Sequence, residues 1–283
     1  MVHGSCLCRD VQWEVDGDFQ LMSHCHCSIC RKSHGTGYGT YVAASEQGFR
    51  WTQGEERIRR YESTPGFFRP FCGRCGSKLP GEPHAGLRFM PAGNLDDDPG
   101  TRPVAHIFVG SRAPWDTIAD AVTQFDAAPP GFPAPELSET TVPPASRDGA
   151  VRGSCLCGKV VYEISGTFDA IVKCHCSRCR KGRSAAHCNN LFVSDPEFSW
   201  ESGEELVERY PVPDAKQFTN AFCRECGSIL PRGDQGQNPI GIPAGSLDGD
   251  PPARETIHIY TGSKAAWSEI ADDLPQFETR PGI

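Results

Sequence analysis

Fifteen cysteines stand in 283 residues, and fourteen of them fall into three clusters that occur twice. The first set is Cys6-x-Cys8, Cys25-x-Cys27-x-x-Cys30 and Cys72-x-x-Cys75. The second is Cys155-x-Cys157, Cys174-x-Cys176-x-x-Cys179 and Cys223-x-x-Cys226. Thiolates so grouped could form disulfides, act as redox pairs or ligate a metal. Two copies of the same three clusters make a redox pair the weaker reading and metal ligation the leading one.

Seven cysteines per copy do not divide into fours. Four thiolates make a closed, structural zinc site, whereas three protein ligands and a free position are the pattern of a catalytic zinc. Each copy is therefore expected to carry one closed and one open site, giving up to four Zn2+ per chain. Cys25, Cys27 and Cys30 lie within six residues and can grip one ion from a single loop, as can Cys174, Cys176 and Cys179. The other four come from distant segments, where a metal clips strands together: Cys6, Cys8, Cys72 and Cys75, and Cys155, Cys157, Cys223 and Cys226.

Three thiolates and a zinc dication sum to one negative charge, so the open centre is a weak Lewis acid. It suits a soft fourth ligand such as a substrate thiolate, which the metal would deprotonate. Arg31-Lys32 and Arg180-Lys181 follow the loops and could meet carboxylates of a small thiol, or be ordinary solvated charges. His26 and His175 could replace a cysteine, although an extended Cys-His-Cys run points the histidine away from its neighbours. His106 and His258, in apolar runs, read as core histidines. Cys188 has no counterpart, because Gly39 holds its place; it reads as a small buried hydrophobe, with a fourth ligand to the second loop as the alternative.

The elements that must position these residues are themselves repeated. Gly-Ser-Cys-Leu-Cys recurs at an offset of 149, Phe-Cys-x-x-Cys-Gly-Ser at 151, and Pro-Ala-Gly-x-Leu-Asp at 152. Such a long period means duplicated domains, here residues 1–126 and 151–283, joined by a proline-rich linker over 127–150. Alternation in Val11-Gln12-Trp13-Glu14-Val15, and runs such as Arg50-Trp51-Thr52 and His106-Ile107-Phe108-Val109, predict short strands. Residues 114–121 and 265–272 are the only helix-like stretches. Thirty glycines and twenty-four prolines fit a mainly β fold with many turns.

Composition narrows the partners. A net charge of −8 disfavours nucleic acid and anionic lipid. No apolar run is long enough to span a bilayer, and no leader pattern opens the chain, so the cytoplasm is the expected compartment.

The motifs G-S-C-x-C, C-H-C-S-x-C-R-K, F-C-x-x-C-G-S and A-G-x-L-D together resemble the glutathione-dependent formaldehyde-activating enzyme family, also called the Gfa or CENP-V domain family. The resemblance spans both repeats. It implies β-tent domains of short antiparallel strands around zinc. It implies the same division of ligands, with the middle cysteines catalytic. It also implies a carbon–sulfur lyase that joins formaldehyde and glutathione into S-(hydroxymethyl)glutathione. A non-catalytic zinc-stapled module for a protein or nucleic-acid partner is the alternative. The sequence names neither a general acid or base nor an oligomeric state.

Overall fold

The computed structural model describes residues 1–131, 145, 147–233 and 236–281. Most of the proline-rich stretch, residues 132–144 and 146, lies outside them. The first half runs β1 (Val2–Ser5), β2 (Gln12–Val15), β3 (Phe19–Cys25), α1 (Ser28–His34), β4 (Gly39–Ser45), β5 (Phe49–Gln53), β6 (Ile58–Thr64), β7 (Phe67–Cys72), β8 (Leu87–Pro91), β9 (Ala105–Ile107) and β10 (Thr123–Gln124). The second runs β11 (Val151–Ser154), β12 (Val161–Cys174), α2 (Ser177–Arg183), β13 (Cys188–Ser202), β14 (Val207–Pro211), β15 (Thr219–Cys223), β16 (Ile229–Leu230), β17 (Ile240–Pro243), β18 (Glu255–Ile259) and β19 (Gln276–Phe277).

The protein is mainly β, in several small sheets, and no described sheet mixes strands of the two halves. The strands are neither all short nor all antiparallel. β12 and β13 are 14 and 15 residues long, and they fuse what the first half keeps as two sheets. β9 and β18 each join their sheet in parallel register. In the repeated Gly-Ser-Cys-x-Cys motif the glycine is a packing requirement. A Cβ on Gly4 would come within 2.3 Å of the Trp13 ring, and one on Gly153 within 2.2 Å of Tyr162.

The helices are not where the sequence suggested. Residues 114–121 and 265–272 are irregular, because their apolar residues leave their own half. Ala113 and Trp115 enter the core of the second half, and Ala265 and Trp267 enter the core of the first. Each tryptophan is 2% exposed. Tyr61 and Tyr210 make the same reciprocal exchange. The true helices, α1 and α2, follow the middle cysteine motifs. Their signal was hidden because the N-cap is a cysteine: Cys27 Sγ accepts the Cys30 N–H at 3.4 Å, and Cys176 does the same for Cys179. Left-handed Gly35 and Ser184 end them.

The halves meet about a pseudo-twofold axis. Phe71 and Phe222, equivalent residues, pack edge to face at 6.3 Å. Gly93 and Gly245 allow backbones to touch: a Cβ on Gly93 would lie 2.2 Å from Ala185 N, and one on Gly245 2.3 Å from Thr36 N. Lys32 reaches across to Ser154 O and Oγ, both at 3.0 Å, and to the Asp248 carboxylate. Its equivalent, Lys181, reaches Ser5 O at 3.0 Å, Ser5 Oγ at 2.8 Å and Asp96 at 2.7 Å.

Removing one partner of a buried ion pair strands the other charge, at a cost of about 3–5 kcal/mol. Lys32→Met is therefore expected to lower the unfolding free energy by about that amount, with Lys32→Met/Asp248→Asn recovering part of it. Urea unfolding of zinc-loaded protein measures both; a loss below about 1 kcal/mol would reduce the pair to the worth of a surface contact.

Candidate metal centres

Four groups of thiols converge, each with its sulfurs within 4.8 Å of one another: Cys6, Cys8, Cys72 and Cys75; Cys155, Cys157, Cys223 and Cys226; Cys25, Cys27 and Cys30; and Cys174, Cys179 and Cys188. All fifteen cysteines are free. Sulfur separations of 3.4 Å for Cys6–Cys8, 3.7 Å for Cys8–Cys72 and 3.5 Å for Cys25–Cys27 are far beyond a disulfide bond. They approach the edge of about 3.8 Å expected for a tetrahedron with zinc–sulfur bonds of about 2.3 Å.

The electrostatics also suit a cation. Contact with the Cys27 and Cys30 sulfurs, then burial, pushes the Cys25 thiol well above its usual range. Contact with Cys25 and Cys27, and more weakly the charge of Arg69, holds Cys30 well below it. Crowded thiols without a metal share protons in this way, and a dication lets all of them ionise. Backbone N–H groups already point at sulfur in the four-cysteine groups, from Val11 to Cys6 at 3.4 Å and from Val160 to Cys155 at 3.3 Å.

Each four-cysteine group joins a strand-turn near the start of its half to a turn near β7 or β15. Ser77 and Ser228 brace the joint, each accepting the backbone N–H between the first two cysteines, at 3.0 Å from Leu7 and 2.9 Å from Leu156. Each middle group lies where β3 or β12 runs into its short helix, but in the second half Cys188 of β13, not the expected Cys176, completes the group of three with Cys174 and Cys179.

The two middle groups differ. A cavity of about 380 Å³ opens onto Cys25, Cys27 and Cys30, and every residue lining it belongs to the first half. Phe67, Tyr41 and Arg69 form part of its wall. The Arg69 guanidinium lies 3.8 Å from Cys30 Sγ and 3.4 Å from the Tyr41 hydroxyl. The neighbouring sulfur charges keep Arg69 fully protonated against the opposing effect of burial. His34 Nδ1 is 2.7 Å from the Arg183 carbonyl, which can only accept, so this nitrogen carries the hydrogen. His34 Nε2 is thus an acceptor, and the Tyr41 hydroxyl donates to it at 2.8 Å. Burial lowers His34 to about 4 and raises Tyr41 well above its usual range, so both are neutral at physiological pH.

In the second half Gly39, His34, Tyr41 and Arg69 become Cys188, Arg183, Asn190 and Asn220. These side chains around the first middle group carry no sequence motif; the residue-by-residue contrast between the repeats is the signal that marks them. Cys188 is fully buried beside the sulfurs of Cys174 and Cys179.

The cations after the loops are committed elsewhere. Lys32 and Lys181 are consumed in the cross-half contacts, Arg31 Nη1 donates to Ser111 O at 2.7 Å, and Arg180 Nη1 donates to Gly93 O at 3.1 Å and Leu95 O at 2.9 Å. Backbone carbonyls and buried carboxylates of the protein hold them in this structure. His26 and His175 point away from the sulfurs, as extended alternation requires. His26 Nε2 meets His106 Nδ1 at 2.8 Å, and His106 Nε2 meets Asp120 at 3.0 Å. His175, His258 and Asp272 repeat the chain at 2.8 Å per link.

A mainly β protein with four thiol clusters that could each hold a metal ion, one of them opening onto a cavity, has the donor chemistry of a zinc protein. The sequence profile of the glutathione-dependent formaldehyde-activating enzyme family matches residues 1–111 and 150–263, and the chain belongs to that family. None of the curated proteins matches it. A solved Rhodobacter sphaeroides protein from structural genomics is 23% identical over 36% of this chain and 91% of that one, with a TM-score of 0.28. Among the described residues no helix is long and apolar enough to cross a membrane.

Substitutions should separate the two kinds of group. Cys72→Ser is expected to lose one zinc and to lower the unfolding midpoint sharply, because its site joins distant segments. Cys30→Ser should lose one zinc with far-ultraviolet circular dichroism preserved. Elemental analysis and thermal melts decide; equal destabilisation by both would erase the distinction.

Proposed function

We propose that the first half is a zinc-dependent carbon–sulfur lyase acting on a thiol–aldehyde adduct, of the S-(hydroxymethyl)glutathione type. The cavity over Cys25, Cys27 and Cys30, with Arg69 and Tyr41 on its wall and buried His34 bonded behind Tyr41, carries this reading. Cys25, Cys27 and Cys30 would hold the ion, which when bound supplies a soft electrophilic position that accepts and deprotonates a thiol.

The residues of the chain then have distinct tasks. Arg69 offsets the negative charge gathered around sulfur. A small aldehyde seated beside the sulfur has its oxygen within reach of the Tyr41 side of the cavity. Carbon–sulfur bond formation turns that oxygen into an alkoxide, which needs a proton. The proton given up by the thiol passes through Tyr41 to neutral His34 Nε2, and Tyr41 delivers a proton to the alkoxide as it recovers one from His34; cleavage runs the same transfers backwards. A buried hydroxyl–imidazole relay of this kind is general acid–base catalysis, typically worth about 10²–10⁴ in rate. Phe67 and its neighbours keep the wall apolar, which keeps water from competing for the aldehyde. The closed cysteine groups act as structural ties.

Cobalt-loaded protein titrated with glutathione should show a spectral change as sulfur enters the first middle site. Tyr41→Phe should leave that change intact and cut the rate of adduct formation and cleavage by about 100-fold. Arg69→Met should weaken thiol binding instead. Unchanged cobalt spectra at saturating glutathione would remove this reading. The protein would then be better described as a zinc-stapled module that binds a partner.

A further inference from the structure

We infer that Cys174, Cys176, Cys179 and Cys188 form a closed four-thiolate metal site, so that the chain has three closed sites and one open one. This goes beyond the lyase reading, and the assignment of Cys188 does not depend on it.

Strand register makes the ligand. β12 pairs with β13 so that Cys188 stands directly opposite Cys174, as Gly39 stands opposite Cys25 in the first half. A cross-strand pair brings side chains into contact, and Cys188 Sγ lies within 4.8 Å of both Cys174 and Cys179. Cys176, whose Sγ caps α2, stands outside that group of three but packs against it. Four soft donors from one loop and one facing strand match the donor set of a structural zinc.

The neighbours differ in a matching way. A Cβ on Gly39 would come within 2.9 Å of the His34 ring and 3.0 Å of the Tyr41 ring. Those rings therefore take up room beside the first site that a fourth cysteine would need. In the second half the equivalents are Arg183 and Asn190, hydrogen-bonded to each other at 3.3 Å. With no rings there, the Cys188 side chain has space.

Charge agrees as well. Four thiolates and a zinc dication sum to two negative charges, one more than an open site carries before substrate. Arg183 is placed so that its charge acts on Cys188, Cys179 and Cys174, and its permanent charge suits a buried anionic centre. Phe218, Ile259 and Tyr260 pack over the cluster. The Tyr41–Arg69 pair that faces the first site has no equivalent there, since both positions are asparagine.

Cadmium-113 resonances count sulfur ligands directly. In the full chain loaded with cadmium and reduced with a phosphine, without added thiol, three all-sulfur resonances and one with fewer sulfurs are expected. Two and two would overturn the inference. In the cobalt titration, glutathione should perturb one ion per chain; perturbation of two would also overturn it. Cys188→Ala should convert three all-sulfur resonances to two, and retention of three would count against the site. If Cys188→Ala does not fold, the unmodified chain decides by its own count. The transplant Gly39→Cys/His34→Arg/Tyr41→Asn should raise the count to four and abolish the cobalt response to glutathione. If no cobalt responds in the unmodified chain, the lyase reading fails while the cadmium count still judges Cys188.

Discussion

The two buried lysines set the geometry on which both middle sites rest. Lys32 sits on the helix that begins at the first ligand loop, yet its ammonium is held by Ser154, next to Cys155 of the other half. Lys181 does the same with Ser5, next to Cys6. Each middle loop is thus mounted on the opposite half's closed group. A metal held at a four-cysteine group would therefore also bear on the serine that receives the lysine, and through it on the helix of the other half. The exchanged tryptophans complete the dependence, because neither core is whole without the other.

Within that frame, charge separates the middle sites. A buried anionic cluster must be compensated, and each half uses an arginine for it, from a different element. In the first half Arg69 comes from β7 and lies on the cavity side, where it also bonds Tyr41. In the second half Arg183 comes from the end of α2 and bonds Asn190. The first arrangement leaves a face of the cluster for an incoming group. The second places protein sulfur there.

Much of the site was legible from spacing. Cysteine clusters report metal ligation through local chemistry that needs no tertiary knowledge, and the repeat made the division into fours and threes visible. The four closed-group cysteines in each half do converge. The helices were illegible because a cysteine cap lies outside the usual Ser, Thr, Asp and Asn signals. Residues 114–121 look helix-like in sequence, but Trp115, with Ala113 before it, serves the other half's core, which no local pattern reveals. The contacts of Arg31, Lys32, Arg180 and Lys181 were hidden for a related reason. A charged residue beside a ligand loop looks solvent-facing until its burial partner, 80 or more residues away, is known. Tyr41, His34 and Arg69 carry no motif at all; only their contrast with Asn190, Arg183 and Asn220 marks them.

The pseudo-twofold axis bears on how such a molecule can change. In a homodimer built on these contacts, every substitution appears twice, so a cysteine that closes one site closes both and leaves no place for substrate. Joining the copies in one chain removes that restriction. One copy can lose its open coordination position while the other keeps it, and the shared core holds both in place. Covalent fusion thereby lets a symmetric scaffold carry an asymmetric division of labour, with one half specialised as the foundation for the chemistry of the other.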